Sequence, residues 1–270
     1  MSILDTIISS KRVEVSARRV AFPLTRLVLD VYSAPRPRDF RAALADRRRP
    51  APRLIAEIKR RSPSRGEIRP ELDPVGIARL YQENGAAAVS VLADSRFFGG
   101  SLDDLADVRA SISLPVLCKE FIVDPYQIYE ARTAGADAVL LIASVLSQRD
   151  LCEYRELAEE HGMAALVEVH NEPELARALA SGATLVGINN RDLHTFTVSL
   201  ETTRSLMPLI PPHVMVVSES GLRTQTDRAQ MFDIGVDAIL VGESLLASSD
   251  LAAATAELCG LRRPSRVGQC

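Results

Sequence analysis

Nowhere in the 270-residue chain does an apolar run reach the roughly 18 to 20 residues that a membrane helix needs, so no membrane span is expected. The amino-terminal stretch lacks the uninterrupted apolar core of a signal peptide, because Asp5 breaks it and charges resume at Lys11. Cysteine is scarce and dispersed. Cys118, Cys152, Cys259 and Cys270 form no CxxC pair and have no histidine at ligand spacing, while His161, His170, His194 and His213 are equally scattered. These absences argue against a disulfide framework or a structural metal and point to reduced thiols in the cytoplasm. A dominant charge sign is missing too: 32 basic residues face 35 acidic ones, a net charge of −3, so no nucleic-acid partner is expected, and Arg47 to Arg49 reads as a solvated linker. No GxGxxG follows the first β-like run, which removes the signature of an open dinucleotide-binding sheet.

What the chain does have is a repeat. Eight short β-rich runs are predicted at 53–59, 87–92, 114–121, 137–143, 164–170, 184–190, 214–220 and 237–243. Amphipathic stretches of helical period separate them, closing in Gly, as in "NGAAAVSVL", "AGADAVLLI", "SGATLVGIN" and "IGVDAILVG". Strand alternating with helix implies a parallel sheet with helices outside it, and eight units fit a (β/α)8 barrel, here one domain over residues 1–270. Residues 1–50 hold two further helical patterns, "SILDTIISSKRVEVSARR" and "RDFRAALADR", around the Pro-bearing "YSAPRPRD"; they read as an N-terminal helical extension. The tail "GLRRPSRVGQC" reads as disordered, and no second domain is expected after the eighth strand.

In such a barrel the carboxyl ends of the strands carry the chemistry. Glu57 and Lys59 end the first predicted strand, Lys119 and Glu120 the third, Glu168 the fifth, Asn189, Asn190 and Arg191 the sixth, Glu219 and Ser220 the seventh. Period-two alternation puts Glu57 on the face of Ile55, Lys119 with Leu117, Glu168 with Leu166 and Glu219 with Val217, so two lysines and three glutamates are expected to converge above a packed aliphatic interior. Burying ions in that way costs several kcal/mol each unless they are paired, which marks a polar cavity with shifted pKa values. "SESG" (218–221) and "VGES" (241–244) put small residues and free backbone N–H groups after the last two strands, where barrels of this kind often bind phosphate. The basic, Gly- and Pro-punctuated "KRRSPSRGEIRP" suits a lid over an anionic substrate.

Taken in order, "LIAEIKRRSPSRGEI", "FFGGSLDDL", "PVLCKEFIVDPYQIYEARTAGADAVLLI", "ALVEVH", "GINNRDL", "SESG" and "ILVGESL" resemble the indole-3-glycerol phosphate synthase family from about residue 39 to 247. The resemblance implies a carboxy-lyase of tryptophan biosynthesis that closes 1-(2-carboxyphenylamino)-1-deoxyribulose 5-phosphate to indole-3-glycerol phosphate with loss of CO2 and water. It implies Lys119 as general acid, Glu168 as the acid/base of dehydration, and Lys59, Glu57, Asn189 and Glu219 as the remaining catalytic shell. Ser62, Arg191, Ser220, Gly221, Gly242 and Ser244 would hold substrate and phosphate, and Phe121, Leu193 and Ile142 would wall the aromatic ring. No cofactor is implied, the partner is the small phosphorylated substrate, and the chain is expected as a monomer or weak homodimer. The sequence departs from the family pattern after the second strand, where "LADSRFF" has Ala93 and Asp94, and at Glu120 between Lys119 and Phe121; Ala93 and Glu120 are expected to act on the mobile loop. Two other readings share the barrel. A phosphoribosylanthranilate isomerase-like enzyme would want an Asp/Cys or Asp/Asp pair at strand ends, and a phosphate-binding barrel without catalysis would have no need of the lysines.

Overall fold

The computed structural model describes residues 2–45, 52–63, 65–69, 71–192 and 197–261. Eight parallel strands close into a barrel in which every strand pairs with its neighbour in sequence and the last returns to the first. They are β1 (Arg53–Ile58), β2 (Ala88–Leu92), β3 (Val116–Lys119), β4 (Ala138–Ile142), β5 (Ala164–Val169), β6 (Leu185–Asn189), β7 (Met215–Glu219) and β8 (Ala238–Val241). All eight coincide with the predicted runs. Closure is set by Leu54 opposite Ile239 on one side of β1 and Glu57 opposite Ser90 on the other. The helix-ending glycines of the repeat, Gly85, Gly135, Gly182 and Gly235, all adopt positive φ between 83° and 90°, which lets each helix turn back into a strand without steric strain. A second repeat appears only in three dimensions: Asp137 and Asp237, each just before a strand, accept the backbone N–H of Val116 and Val216 on the preceding strand at 2.7 and 2.9 Å.

Two apolar layers hold the barrel. Outward residues such as Leu54, Val89, Val139 and Val186 pack with the surrounding helices, while Ile55, Leu117, Leu166 and Val217 fill the interior with Ala88, Ala138 and Ala238. The four aliphatic residues expected beneath the charged strand ends are therefore the interior plug, as alternation requires.

Among its described residues the amino-terminal extension contains three helices rather than two: α1 (Ile3–Ala21), α2 (Leu24–Ser33) and α3 (Phe40–Leu44). They do different work. Phe40 and Leu44 of α3 join the interior cluster at the amino ends of the strands and close the bottom of the barrel, while Asp137 fixes the approaching chain by accepting the Arg38 N–H at 2.6 Å. By contrast α1 carries Ile3, Leu4 and Ile7 to the opposite, catalytic end. Its Lys11 is 1% exposed and forms ion pairs with Asp94 at 2.9 Å and with Glu120 and Glu14 at 3.0 Å. Asp94 and Glu120, which follow β2 and β3, thus meet on one lysine and anchor α1. Asp94 is also the N-cap of the short helix Ser95–Phe98, accepting the Phe97 N–H at 2.6 Å. Residues 262–270, most of the tail read as disordered, and Arg47 to Arg49 lie outside the described residues. No helix among the described residues is long and apolar enough to cross a membrane.

Candidate active site

A single cleft at the carboxyl ends of the strands collects nearly every predicted site residue. Glu57, Lys59, Ser62, Lys119, Phe121, Ile142, Glu168, Asn189, Arg191, Glu219, Ser220, Gly221, Gly242 and Ser244 all line it, and Leu193 lies outside the described residues. Asn190 is not in the cleft. Its side chain is buried behind it, donating to Ser218 Oγ and the Glu219 carbonyl at 3.0 Å and accepting from the Thr203 N–H and hydroxyl at 3.1 and 2.8 Å, so it joins β6 and β7 below the site.

Lys119 is the centre of the charge network. Its Nζ stands 3.3 Å from Glu219 Oε2 and 3.5 Å from Glu168 Oε2, while Lys59 pairs with Glu57 at the top of β1. Burial opposes the charge on Lys119, but Glu219, Glu168 and Glu57 outweigh it and hold the ammonium above the ordinary lysine value. Glu57 moves the other way: burial raises its carboxyl, and Lys59, Lys119 and Arg191 more than reverse that, leaving it below the usual glutamate range. For Glu219, burial dominates and Lys119 only partly offsets it, with Glu168 and Glu57 adding repulsion, so its carboxyl is pushed up to about 7. Its Oε1 is buried without a hydrogen-bond partner, the geometric counterpart of that shift. The network therefore holds a firmly protonated ammonium, an ionised Glu57 and a carboxyl that exchanges its proton near neutral pH.

Two glycines make this packing feasible. A Cβ on Gly187 would fall 2.2 Å from Glu219 Oε1, and one on Gly242 would fall 2.5 Å from Glu57 Oε1 and 2.8 Å from its Cβ, so both carboxylates occupy space that only glycine vacates. At the far wall, Ser220 and Gly221 both have positive φ, 65° and 82°, an unusual conformation for serine that turns the chain just after β7. Ser244 Oγ donates to the Leu222 carbonyl at 3.0 Å, holding the β8 loop against that turn. Arg191 and Arg65 share Glu243 at 3.5 and 2.9 Å, which places two guanidinium groups at the cleft rim.

Several lining residues escaped the sequence reading. Phe98 faces Phe121 with ring centroids 5.9 Å apart, forming an aromatic wall, and α1 contributes Ile3, Leu4 and Ile7 from well before the first strand. His170 was also passed over as one scattered histidine, although it is two residues beyond Glu168 and so on the same strand face; its Nε2 lies 3.4 Å from Glu168 Oε1.

A family model for indole-3-glycerol phosphate synthase matches residues 4–258. The chain belongs to that family. Proteins named indole-3-glycerol phosphate synthase from Roseiflexus sp. and Chloroherpeton thalassium are 48% and 49% identical to it, over 96% and 94% of this chain and 98% of each relative. One from Dehalococcoides mccartyi is 49% identical over 93% of this chain and 97% of its own. Solved structures of a thiamine phosphate pyrophosphorylase and of a mutant tryptophan synthase α-subunit, both from Pyrococcus furiosus, superpose with TM-scores of 0.58 and 0.59 at 19% and 16% identity, each covering 78% of this chain and 95% and 98% of the other. At such identities they speak for the barrel alone, and the family assignment rests on the near full-length relatives.

Proposed function

We propose that the cleft performs the reaction of the family: closure of 1-(2-carboxyphenylamino)-1-deoxyribulose 5-phosphate to indole-3-glycerol phosphate, CO2 and water. The observation that carries this reading is Lys119, an ammonium bracketed by Glu219 and Glu168 at the floor of a cleft with an aromatic wall. Attack of the ring carbon on the ribulose carbonyl develops charge on the carbonyl oxygen. An ammonium that the surrounding carboxylates keep protonated supplies a proton there as the oxygen becomes basic. Lys59, steadied by Glu57, is a cation for the departing carboxylate, and Arg191 positions the anthranilate side. Loss of CO2 restores the aromatic ring, and Glu168 exchanges the proton needed for the hydroxyl to leave as water, with Asn189 and Glu219 completing the polar shell. Ser62, the Ser220–Gly221 turn, Gly242 and Ser244 hold the phosphate, and Phe121 with Ile142 walls the ring.

The isomerase alternative loses its support at the two residues it needs. Asp94 is committed to Lys11, and Cys118 faces outward into the layer between strands and helices. A role in binding alone leaves the buried Lys119–Glu168–Glu219 group without a purpose that offsets its desolvation. We place the enzyme in the cytoplasm, a reading supported by the free thiols of Cys118 and Cys152. A monomer or weak homodimer fits the scattered exposed side chains Val13, Val20, Leu29 and Tyr32 on the outer faces of α1 and α2.

The test is turnover of the carboxyphenylamino-deoxyribulose phosphate by purified protein, followed by indole-glycerol fluorescence. Wild-type turnover that Lys119→Met abolishes, with substrate still bound in calorimetry, is expected. Full activity in Lys119→Met refutes the acid assignment, and binding without turnover in the wild type moves the reading to a ligand-binding barrel.

A further inference from the structure

Beside the cleft, outside its lining, stands a chain of three groups that the reaction as described does not use. Helix Glu172–Ala180 begins at the N-cap Asn171, whose side chain accepts the Glu174 N–H at 3.0 Å and donates to Glu174 Oε1 at 2.8 Å. The other oxygen of Glu174 accepts the His170 backbone N–H at 2.9 Å and lies 2.9 Å from His170 Nδ1. The capping arrangement thus holds Glu174 rigidly against one edge of the imidazole. Glu174 is ionised: although burial favours its neutral form, the bonds from His170 and Asn171 hold its carboxyl below the ordinary value. A carboxylate only accepts, so the proton between them belongs to Nδ1.

That assignment fixes what the opposite edge is able to do. Nε2 is buried, has no hydrogen-bond partner, and faces Glu168 Oε1 at 3.4 Å. With Nδ1 already protonated, a neutral ring shows Glu168 a bare lone pair, and two facing lone pairs repel. The contact becomes favourable when one proton sits between the two atoms, on Nε2 or on Oε1. The groups facing the ring are all acidic: Glu174 on the helix, Glu168 on β5 and Glu219 on β7, with the Lys119 ammonium beyond Glu168. Burial disfavours charge on the imidazole, but these carboxylates outweigh it and raise its affinity for the proton.

We propose that His170 is a positioning residue for Glu168: locked by Glu174 with its proton on Nδ1, it holds a second proton in common with Glu168 Oε1. When that proton crosses, the Nε2–H bond breaks and the Oε1–H bond forms, turning imidazolium and carboxylate into imidazole and carboxylic acid with no change in net charge. Glu168 is thereby offered either as acid or as base without ionising against a buried, acid-rich surround. His170 touches no substrate and acts through Glu168. The inference rests on the role given to Glu168 above, and its first test does not need turnover.

That test is nitrogen-15 NMR of the histidine side chains in the wild-type protein, with the His170 signals assigned by their loss in His170→Gln. Nδ1 is expected to stay protonated from pH 6 to 9, and Nε2 to release its proton later than an ordinary histidine and earlier in Glu168→Gln. A resting ring with Nδ1 bare and Nε2 protonated overturns the proposal whatever the enzyme turns over. In kinetics, His170→Gln is expected to lower kcat about tenfold, leave KM within twofold, and change the shape of the kcat–pH profile, because the proton held between His170 and Glu168 is lost with the imidazole. A His170→Gln profile superimposable on wild type, in a variant that folds, overturns it as well; failure of the wild type to turn over the substrate refutes the reading of function and leaves the NMR test standing.

Discussion

Replacing Lys11 with methionine isolates what the amino-terminal extension contributes. Methionine keeps much of the unbranched stem and removes the ammonium, leaving Asp94 and Glu120, which are 0% and 6% exposed, without their cation. Stripping one partner from a buried ionic group costs about 3–5 kcal/mol. In a barrel of this size that is a Tm loss of about 6–20 °C, at roughly 2–4 °C per kcal/mol. The pH dependence is more diagnostic than the size. Glu120 already sits at about 7, burial dominating over Lys11, so above neutrality the wild-type group is ionised in both folded and unfolded states and its contribution is flat. In the variant its folded carboxyl rises further and stays protonated while the unfolded one is ionised. Folded protein then binds the extra proton, and stability falls as pH rises, by about 1.4 kcal/mol per unit. Between pH 7 and pH 8.5 the variant should therefore lose about 2 kcal/mol more than wild type, measured by urea denaturation at both pH values. Adding Glu120→Gln to Lys11→Met should recover most of the loss at pH 8.5 and flatten the profile. Because α1 brings Ile3, Leu4 and Ile7 to the cleft, KM should rise more than kcat falls. A Lys11→Met protein within 2 °C of wild type, or one equally destabilised at both pH values, refutes the anchor.

Three further outcomes follow from the site. Gly187→Ala puts a methyl group 2.2 Å from Glu219 Oε1, and displacing that carboxylate should lower kcat about 100-fold while overpacking costs about 1–3 kcal/mol; unchanged kinetics would mean that Glu219 is not held where the reaction needs it. Glu219 has a folded value of about 7 against an ordinary 4.5, so its contribution to stability is present below pH 4.5 and lost as pH rises to about 7; Glu219→Gln should thus be more stable than wild type at pH 8 by about 1–3 kcal/mol and much less active, and equal stability in denaturant at pH 8 would contradict the shift. Asn190→Ala leaves the Thr203 N–H and Ser218 hydroxyl short of partners and should cost about 1–3 kcal/mol in urea unfolding, with KM for substrate little changed.

The barrel was legible because its repeat is written locally: five of the eight strands, β2, β4, β5, β6 and β8, follow a glycine that ends a helix, and alternation alone placed Glu57, Lys119, Glu168 and Glu219 above Ile55, Leu117, Leu166 and Val217. Helix α2 was missed because its N-cap is Pro23, which gives no side-chain capping signal. Lys11 looked like one more surface charge on an amphipathic helix. Its acceptors Asp94 and Glu120 lie 83 and 109 positions away, and no local pattern announces such a pairing. His170 and Gly187 were within reach: parity with Glu168 marks the first, and a glycine inside "LVGIN" marks a close approach that proved to be the Glu219 carboxylate.

The distribution of charge explains why the molecule needs what surrounds the barrel. Three carboxyls, Glu57, Glu168 and Glu219, face two ammonium groups, Lys59 and Lys119, across the top of the interior. Ionising all three leaves an excess negative charge in a buried site, and the group that yields is Glu219, with an unpartnered oxygen and a carboxyl near 7. A barrel interior filled to the top with aliphatic residues would be more stable and would have nothing to exchange protons with. The destabilisation concentrated at that end is offset elsewhere, by α3 sealing the bottom with Phe40 and Leu44 and by Lys11 binding α1 across the top. On the proposed reading, an anion-rich substrate entering this cleft is received by Lys59, Arg191 and the turn at Ser220 and Gly221, and the Lys119 ammonium, held between Glu168 and Glu219, is left to give its proton.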